Sequence, residues 1–288
     1  MSIEVTIKQK GFFKKSITLD VILGKELKYG RFDGDHLEKG EFGKNEFIAY
    51  HPEHIGRGFS VDCVPYTKDG VYLRLPQPST PQEIRDFYDT VQRIATYWKC
   101  SINVDGVKTS LKKFLSGYED MVKFNEHVIT VFCKEILEEG KGPFTFFSAL
   151  WPLHVGKEEA EIFLQDVEKF YLWMHEKQNI DAEYADLLFF EEEGKVVGKY
   201  GLWSDTRHLF PMKPAVPIGC TFVETGEKIE CSDWKMCIFT EPRKDPIAEL
   251  PYEKFFQRIP KDKIRPHDCE TYDILPLSEE EIAHIIAE

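Results

Sequence analysis

Two short segments concentrate the side chains that could hold a metal ion. FDGDH supplies Asp33, Asp35 and His36, and YHPEH supplies His51, Glu53 and His54. Carboxylates and imidazoles are ordinary ligands of zinc-class ions, which need three or four such groups converging on one point. The spacing does not require convergence, because Asp-Gly-Asp is also common turn chemistry and a proline separates the two histidines. A metal-dependent hydrolase is therefore one hypothesis, and plain turns with exposed histidines are the alternative.

Two further clusters could support acid–base or nucleophilic catalysis. In WSDTRHLF, Asp205 could orient His208 as a general base, and the arginine between them could hold an anionic substrate. In PHDCETYD, His267 shares a side with Cys269 if the chain is extended there, and a neighbouring base would activate the thiol. The alternatives are a capped turn for the first cluster and an ordinary loop thiol for the second.

The sequence contains none of the strong catalytic or cofactor motifs: no GxxxxGK[ST], GxGxxG, HExxH, GxSxG or CxxC. We therefore expect no cofactor and favour a binding protein over an enzyme. The formal net charge is −13, and it is spread along 288 residues, so nucleic acid and anionic membranes are poor partners. Seven cysteines in mostly apolar runs indicate free thiols in a reducing, cytoplasmic compartment.

Aromatic residues make up 14% of the chain, more than one helix face can bury. Some of them could form a contact surface for another protein or for a second copy of this chain. Trp151 and Trp173 are the residues that we expect to be exposed anchors of such a surface. The alternative is a sheet covered on both sides, which would bury both of them.

Alternation of apolar and polar residues predicts most of the strands. Ile3, Val5 and Ile7 mark the first strand, and Ile17, Leu19 and Val21 suggest its hairpin partner. Further alternation predicts strands at 46–51, 58–64 and 71–75, a hairpin at 186–203 with its turn at Glu193-Gly194, and two or three strands within 218–239.

The best-specified helix follows the proline-rich segment LPQPSTPQEIRDFYDTVQRI. Thr80 is a good N-cap, Pro81 suits the first turn, and Glu83 completes a capping box. The apolar stripe that follows has helical spacing, and we expect no polar residue on its buried face. This helix is therefore predicted to be architecture rather than chemistry. A second long amphipathic helix is predicted at 157–177.

The predicted fold class is α+β: mainly antiparallel sheets with two long amphipathic helices packed on them. We expect one compact unit, 1–288. Its two similar strand–helix–strand segments raise the hypothesis of pseudo-halves at 1–140 and 141–288.

The segment LPQPSTPQEIRDFYDTVQRI, residues 75–94, resembles that of an uncharacterised bacterial protein family known only as a domain of unknown function. The resemblance extends over essentially the whole chain. It implies a bacterial, Gram-positive and cytosolic origin, and it supplies no activity and no site residues.

Overall fold

The computed structural model describes residues 1–9, 11–33, 36–43, 46–63, 67–138, 140–217, 220–222, 225–240 and 245–287. They group into two compact units, 1–179 and 180–288. This boundary lies away from the 140/141 division considered from the sequence, and the internal duplication stays a prediction. No helix in the described ranges is both long enough and apolar enough to cross a bilayer.

The described part of the first unit is built on a sheet of eight strands in the order β3-β2-β4-β5-β6-β1-β7-β8. The strands are β1 (Ser2–Lys8), β2 (Lys28–Asp33), β3 (His36–Lys39), β4 (Glu46–Tyr50), β5 (Phe59–Asp62), β6 (Gly70–Pro76), β7 (Ile102–Val104) and β8 (Val107–Thr109). Every pair in it is antiparallel. Successive side chains of a strand point to opposite faces, so the alternation at Ile3, Val5 and Ile7 buries one face of β1.

The helices of this unit are α1 (Leu19–Leu23), α2 (Pro81–Trp98), α3 (Leu111–Leu115), α4 (Tyr118–Leu137), α5 (Lys157–Gln165) and α6 (Val167–Gln178). A short hairpin, β9 (Phe144–Phe147) with β10 (Pro152–Val155), lies between α4 and α5. The predicted cap of α2 is present, because Thr80 and Glu83 accept each other's backbone N–H groups. Its stripe residues Phe87, Val91 and Ile94 are fully buried with the inner face of the sheet.

Two predictions about these elements are wrong. Residues 19–23 form α1 instead of the hairpin partner of β1, which pairs with the distant β6 and β7. The predicted helix at 157–177 is broken at Asp166, whose side chain accepts the N–H of Glu168 and so caps α6. The long helices of the described chain are therefore α2 and α4.

The second unit holds two four-stranded sheets among its described residues, ordered β11-β14-β18-β17 and β12-β13-β15-β16. The strands are β11 (Glu183–Tyr184), β12 (Leu187–Glu192), β13 (Lys195–Trp203), β14 (His208–Pro211), β15 (Asp233–Phe239), β16 (Ala248–Pro251), β17 (Ile264–Pro266) and β18 (Thr271–Ile274). Two helices, α7 (Tyr252–Arg258) and α8 (Glu279–Ala287), bury Phe255, Ile282 and Ile285 in the core of this unit.

The chain is therefore a mixed α+β protein with mainly antiparallel sheets, as predicted. The described exceptions are two parallel pairs, β11 with β14 and β13 with β15. The β12–β13 hairpin turns at Glu193-Gly194 as expected, with positive φ at both residues. Within 218–239 the described residues form one strand, β15, and an isolated bridge between Thr221 and Lys228.

Candidate functional site

The loop of residues 51–58, between β4 and β5, lies where three elements of the first unit meet; we call it the histidine loop. Ile55 donates its N–H to Nδ1 of His175 on α6, at 3.0 Å. Gly56 accepts at its carbonyl from the Gln178 side chain at 2.7 Å and from the Ala149 N–H at 3.0 Å. These bonds fix the loop to residues about 90 to 120 positions later in the chain.

The N-terminal turn of α2 supports the loop from a third side. The buried carboxylate of Glu83 accepts the N–H of Gly58 and, at 3.0 Å, the N–H of Thr80. Burial raises the pKa of Glu83 to about 7, against the lowering effect of these bonds and of the Arg57 guanidinium. Arg57 itself donates to the carbonyl of Gln77 at 2.9 Å. These hydrogen bonds fix the loop against the N-terminal turn of α2.

Three of the predicted ligands converge within the loop. The rings of His51 and His54 have centroids 4.9 Å apart and an interplanar angle of 35°. One ligand atom each from His51, Glu53 and His54 lie within 4.8 Å of one another. His51 is buried, whereas the other two side chains are exposed. Nδ1 of His51 accepts the N–H of Glu53 at 3.1 Å, which fixes the orientation of its ring.

Three charged or titratable side chains surround this pair, and sequence reasoning identified none of them. Asp86 on α2 is 9% exposed, and its Oδ1 accepts from Gln82 at 3.2 Å. Its Oδ2 is buried without a hydrogen-bond partner among the described residues. Glu26 Oε2 lies 3.9 Å from Nε2 of His51. Burial is the main cause that lowers the pKa of His175, and His54 adds to it.

The buried position of Asp86 corrects an expectation about α2. Glu83, Asp86 and Thr90 are all buried on this helix, so the absence of buried polar residues was wrongly predicted. The i, i+3 spacing of Glu83 and Asp86 places both carboxyls on one side of the first turns. That spacing was the available signal, but it equally fits an exposed acidic face.

The other predicted metal ligands lie elsewhere. Asp33 and His36 face each other where β2 meets β3, whereas β2 meets the end of β4 at Lys28, opposite Tyr50. Five residues of strand separate Asp33 from Lys28, which is about 16 Å along the strand. The structure therefore does not bring Asp33 and His36 to the histidine loop. The side chain of Asp33 and the whole of Asp35 lie outside the described residues.

The cluster at 205–208 does not form the expected Asp–His pair. Asp205 is exposed and has a φ of +57°. His208 is buried, and its Nε2 accepts the N–H of Trp203 at 3.0 Å. Burial lowers the pKa of His208 to about 4. Arg207 makes two bonds of 2.7 and 2.8 Å to Asp273, so its guanidinium is engaged by a carboxylate of the fold.

His267 and Cys269 lie in the turn between β17 and β18 rather than in an extended segment. The N–H of His267 donates to the carbonyl of Thr271 at 2.8 Å, which closes this turn. His267 is buried and Cys269 is partly buried. The strand alternation that suggested a shared side for the two residues therefore does not apply.

The two tryptophans are not the exposed anchors that we expected. Trp151 is 4% exposed, in the turn before β10. Trp173 on α6 is partly buried, and its ring centroid lies 5.5 Å from that of Phe163. Both side chains contribute to packing, in agreement with the alternative reading of the aromatic content.

Comparison with known proteins identifies the family of the chain. A family model described as a domain of unknown function (DUF4299) matches residues 2–285. The chain belongs to this family. No curated protein and no solved structure matches it significantly. The family covers nearly the whole chain, and its description names no activity.

Proposed function

We propose that this member of the family acts by binding another protein, as an adaptor or immunity-like protein without catalytic activity. The observation that supports the proposal is a pair of adjacent phenylalanines, Phe12 and Phe13, both fully exposed. A pair of this kind offers about 300–500 Å² of apolar surface, comparable to the largest patch on a typical monomer. Such patches are commonly interaction sites.

The segment that bears the two phenylalanines is firmly held at its base. Gln9 bonds through its side chain to the N–H of Lys15 at 2.9 Å and to its carbonyl at 2.6 Å. The same carbonyl accepts from the Trp98 indole at 2.8 Å, and Lys14 pairs with Asp69 at 2.9 Å. Anchoring of the segment at its base reduces the backbone freedom that it would lose on binding.

The charges around the base indicate the kind of partner. Lys14, Lys15 and Lys68 flank the segment, and Lys8 lies at the end of β1, on a chain whose net charge is −13. A partner with an apolar pocket and an acidic rim would be complementary to this tip. We propose a partner protein of that chemistry.

A metal-dependent hydrolase remains the second candidate, and the approach of His51 to His54 is the observation that favours it. Metal-assisted hydrolysis needs a bound ion with an exchangeable water ligand. The candidate therefore depends on whether the histidine loop binds an ion.

The protein-binding proposal can be tested at the tip directly. A photoreactive phenylalanine analogue at position 13 of the full chain, activated in the cells that naturally produce it, should form a discrete protein adduct. The same analogue at Val107, an exposed apolar site in the β7–β8 hairpin, is the matched control. Once the partner is identified, Phe12→Ser combined with Phe13→Ser should weaken binding at least about 100-fold, since each buried phenylalanine contributes about 1.5–3 kcal/mol.

Two outcomes would contradict the proposal. One is the absence of any adduct at position 13 above that at position 107. The other is full affinity in the double serine variant. Binding of the tip to anionic lipid vesicles, with no protein adduct, would replace the partner protein by a membrane surface and would also refute it.

A further inference from the structure

The histidine loop has the geometry of a divalent metal site that is almost closed. Ligand atoms of His51, Glu53 and His54 lie within 4.8 Å of one another. A zinc-class ion binds nitrogen and oxygen at about 2.0–2.2 Å, so the ligand atoms of a tetrahedral site lie about 3.3–3.6 Å apart. The difference is at most about 1.5 Å, and rotation of the two exposed side chains, Glu53 and His54, can supply it.

The Nδ1 atom of His51 accepts the Glu53 N–H, so its lone pair faces a member of this group and, in the neutral ring, the proton resides on Nε2. That Nε2 lies 3.9 Å from a carboxylate oxygen of Glu26. A carboxylate behind the ring is the usual device that orients a metal-binding histidine. An ion at Nδ1 would replace one backbone hydrogen bond, worth about 1 kcal/mol.

An independent observation comes from Asp86, which lies on α2 and not in the loop. Its side chain is more than nine-tenths buried, and its Oδ2 has no hydrogen-bond partner among the described residues. A buried carboxylate oxygen without a partner destabilises a fold by an amount comparable to several hydrogen bonds. Both imidazoles lie within electrostatic range of this carboxyl. A cation between them would compensate the unpartnered oxygen.

The surrounding bonds hold the loop in place without an ion. His175 accepts from Ile55, and Gln178 donates to Gly56, so the backbone on the C-terminal side of the histidines is fixed. A site whose backbone is already ordered requires little rearrangement to bind.

We propose that the histidine loop and α2 form a binding site for one zinc-class divalent cation. The protein ligands are His51, Glu53 and His54, and the carboxylate of Asp86 on α2 compensates the charge of the ion. Two imidazoles with a carboxylate suit Zn²⁺ and its neighbours Co²⁺ and Ni²⁺, whereas Ca²⁺ and Mg²⁺ prefer oxygen-only sites. Three protein ligands leave the fourth tetrahedral position to a water molecule.

Calorimetric titration of the untagged, chelator-treated full chain with ZnCl₂ tests the site. We expect one saturable equivalent and a higher melting temperature for the loaded protein. Replacement by Co²⁺ should give the intense visible absorption of a tetrahedral complex. A multi-equivalent, unsaturable titration would mean adventitious surface binding and would overturn the proposal.

Two variants and a control identify the ligands. His54→Ala changes an exposed side chain, and Asp86→Asn keeps the size of a buried one, so both should fold. Each should weaken zinc binding at least about tenfold. Asp86→Asn should at the same time raise the melting temperature of the metal-free protein, because the unpartnered charge is removed. His127→Ala, at an exposed histidine of α4, should change neither quantity. Full zinc affinity in the His54→Ala variant refutes the ligand set, and full zinc affinity in the Asp86→Asn variant refutes the role of Asp86.

Discussion

Replacing Glu83 by glutamine should remove a pH-dependent loss of stability from the first unit. Burial raises the pKa of this carboxyl to about 7, whereas its ordinary value is 4.5. The unfolded chain therefore ionises first. The pH-dependent contribution of Glu83 to the unfolding free energy is fully present below about pH 4.5 and is lost as the pH rises through about 7. The gap between the two pKa values corresponds to about 3 kcal/mol of unfolding free energy.

The assay is urea unfolding of both proteins between pH 4.5 and pH 8. The quantity to plot is the unfolding free energy of the Glu83→Gln variant minus that of the wild type, because groups common to both cancel. At pH 4.5 the variant should be less stable, since the amide nitrogen of glutamine cannot accept the Thr80 N–H. The difference should then shift in favour of the variant by about 3 kcal/mol as the pH rises to 8.

Thr80→Ala is the matched control. It removes the hydroxyl that accepts the Glu83 N–H but keeps the buried carboxyl. It should lower stability by about 1 kcal/mol at every pH and retain the wild-type pH dependence. A free-energy difference for Glu83→Gln that stays constant from pH 4.5 to 8 would refute the argument that the buried carboxyl titrates near neutrality.

Three further predictions concern packing and burial. Burial lowers the pKa of His208 from 6.5 to about 4. The unfolding free energy of the wild type should therefore fall by about 3 kcal/mol between pH 6.5 and 4, because the unfolded chain takes up the proton first. Urea unfolding of His208→Gln should lack this decrease. The fully buried Asn125 side chain accepts the Ser79 N–H at 2.7 Å and donates to the Ser79 carbonyl at 2.6 Å. Asn125→Ala should lower the unfolding free energy in denaturant by about 2–4 kcal/mol. A decrease below about 1 kcal/mol would contradict this prediction. Gly58 and Gly106 both have positive φ, but of the two only Gly58 would bring a β-carbon against neighbours, the nearest at 2.5 Å. The melting temperature should therefore fall clearly more in Gly58→Ala than in Gly106→Ala. Equal decreases would refute the steric argument.

The elements that the sequence predicts well are those whose signals are local. The capping box of α2 depends on two residues three positions apart, and the turn of the β12–β13 hairpin depends on one dipeptide. Five residues of α1 are too few to show a helical period, so an alternation of three apolar residues was taken for a strand. The partners of β1 come from β6 and β7, about 60 to 100 residues away, and no local pattern indicates them.

The same distinction applies to the histidine loop. The spacing of His51 and His54 brings them together through a short turn, which the sequence suggests but does not require. Asp86 and His175 reach the same place through α2 and α6, from segments 35 and 120 residues away. The exposure of the tryptophans was equally beyond local reasoning, because Trp151 lies in the turn of the β9–β10 hairpin and its burial depends on tertiary packing.

The long-range bonds of the histidine loop also set an order of assembly during synthesis. All eight strands of the first sheet lie within the first 109 residues, so an emerging chain can complete that sheet early. The hydrogen bond from the Gln178 side chain to the Gly56 carbonyl can form only when Gln178 has been translated. A ribosome-bound chain that stops before α6 would therefore have a paired sheet, yet its histidine loop would lack the bonds from His175 and Gln178 and would be more open to proteases.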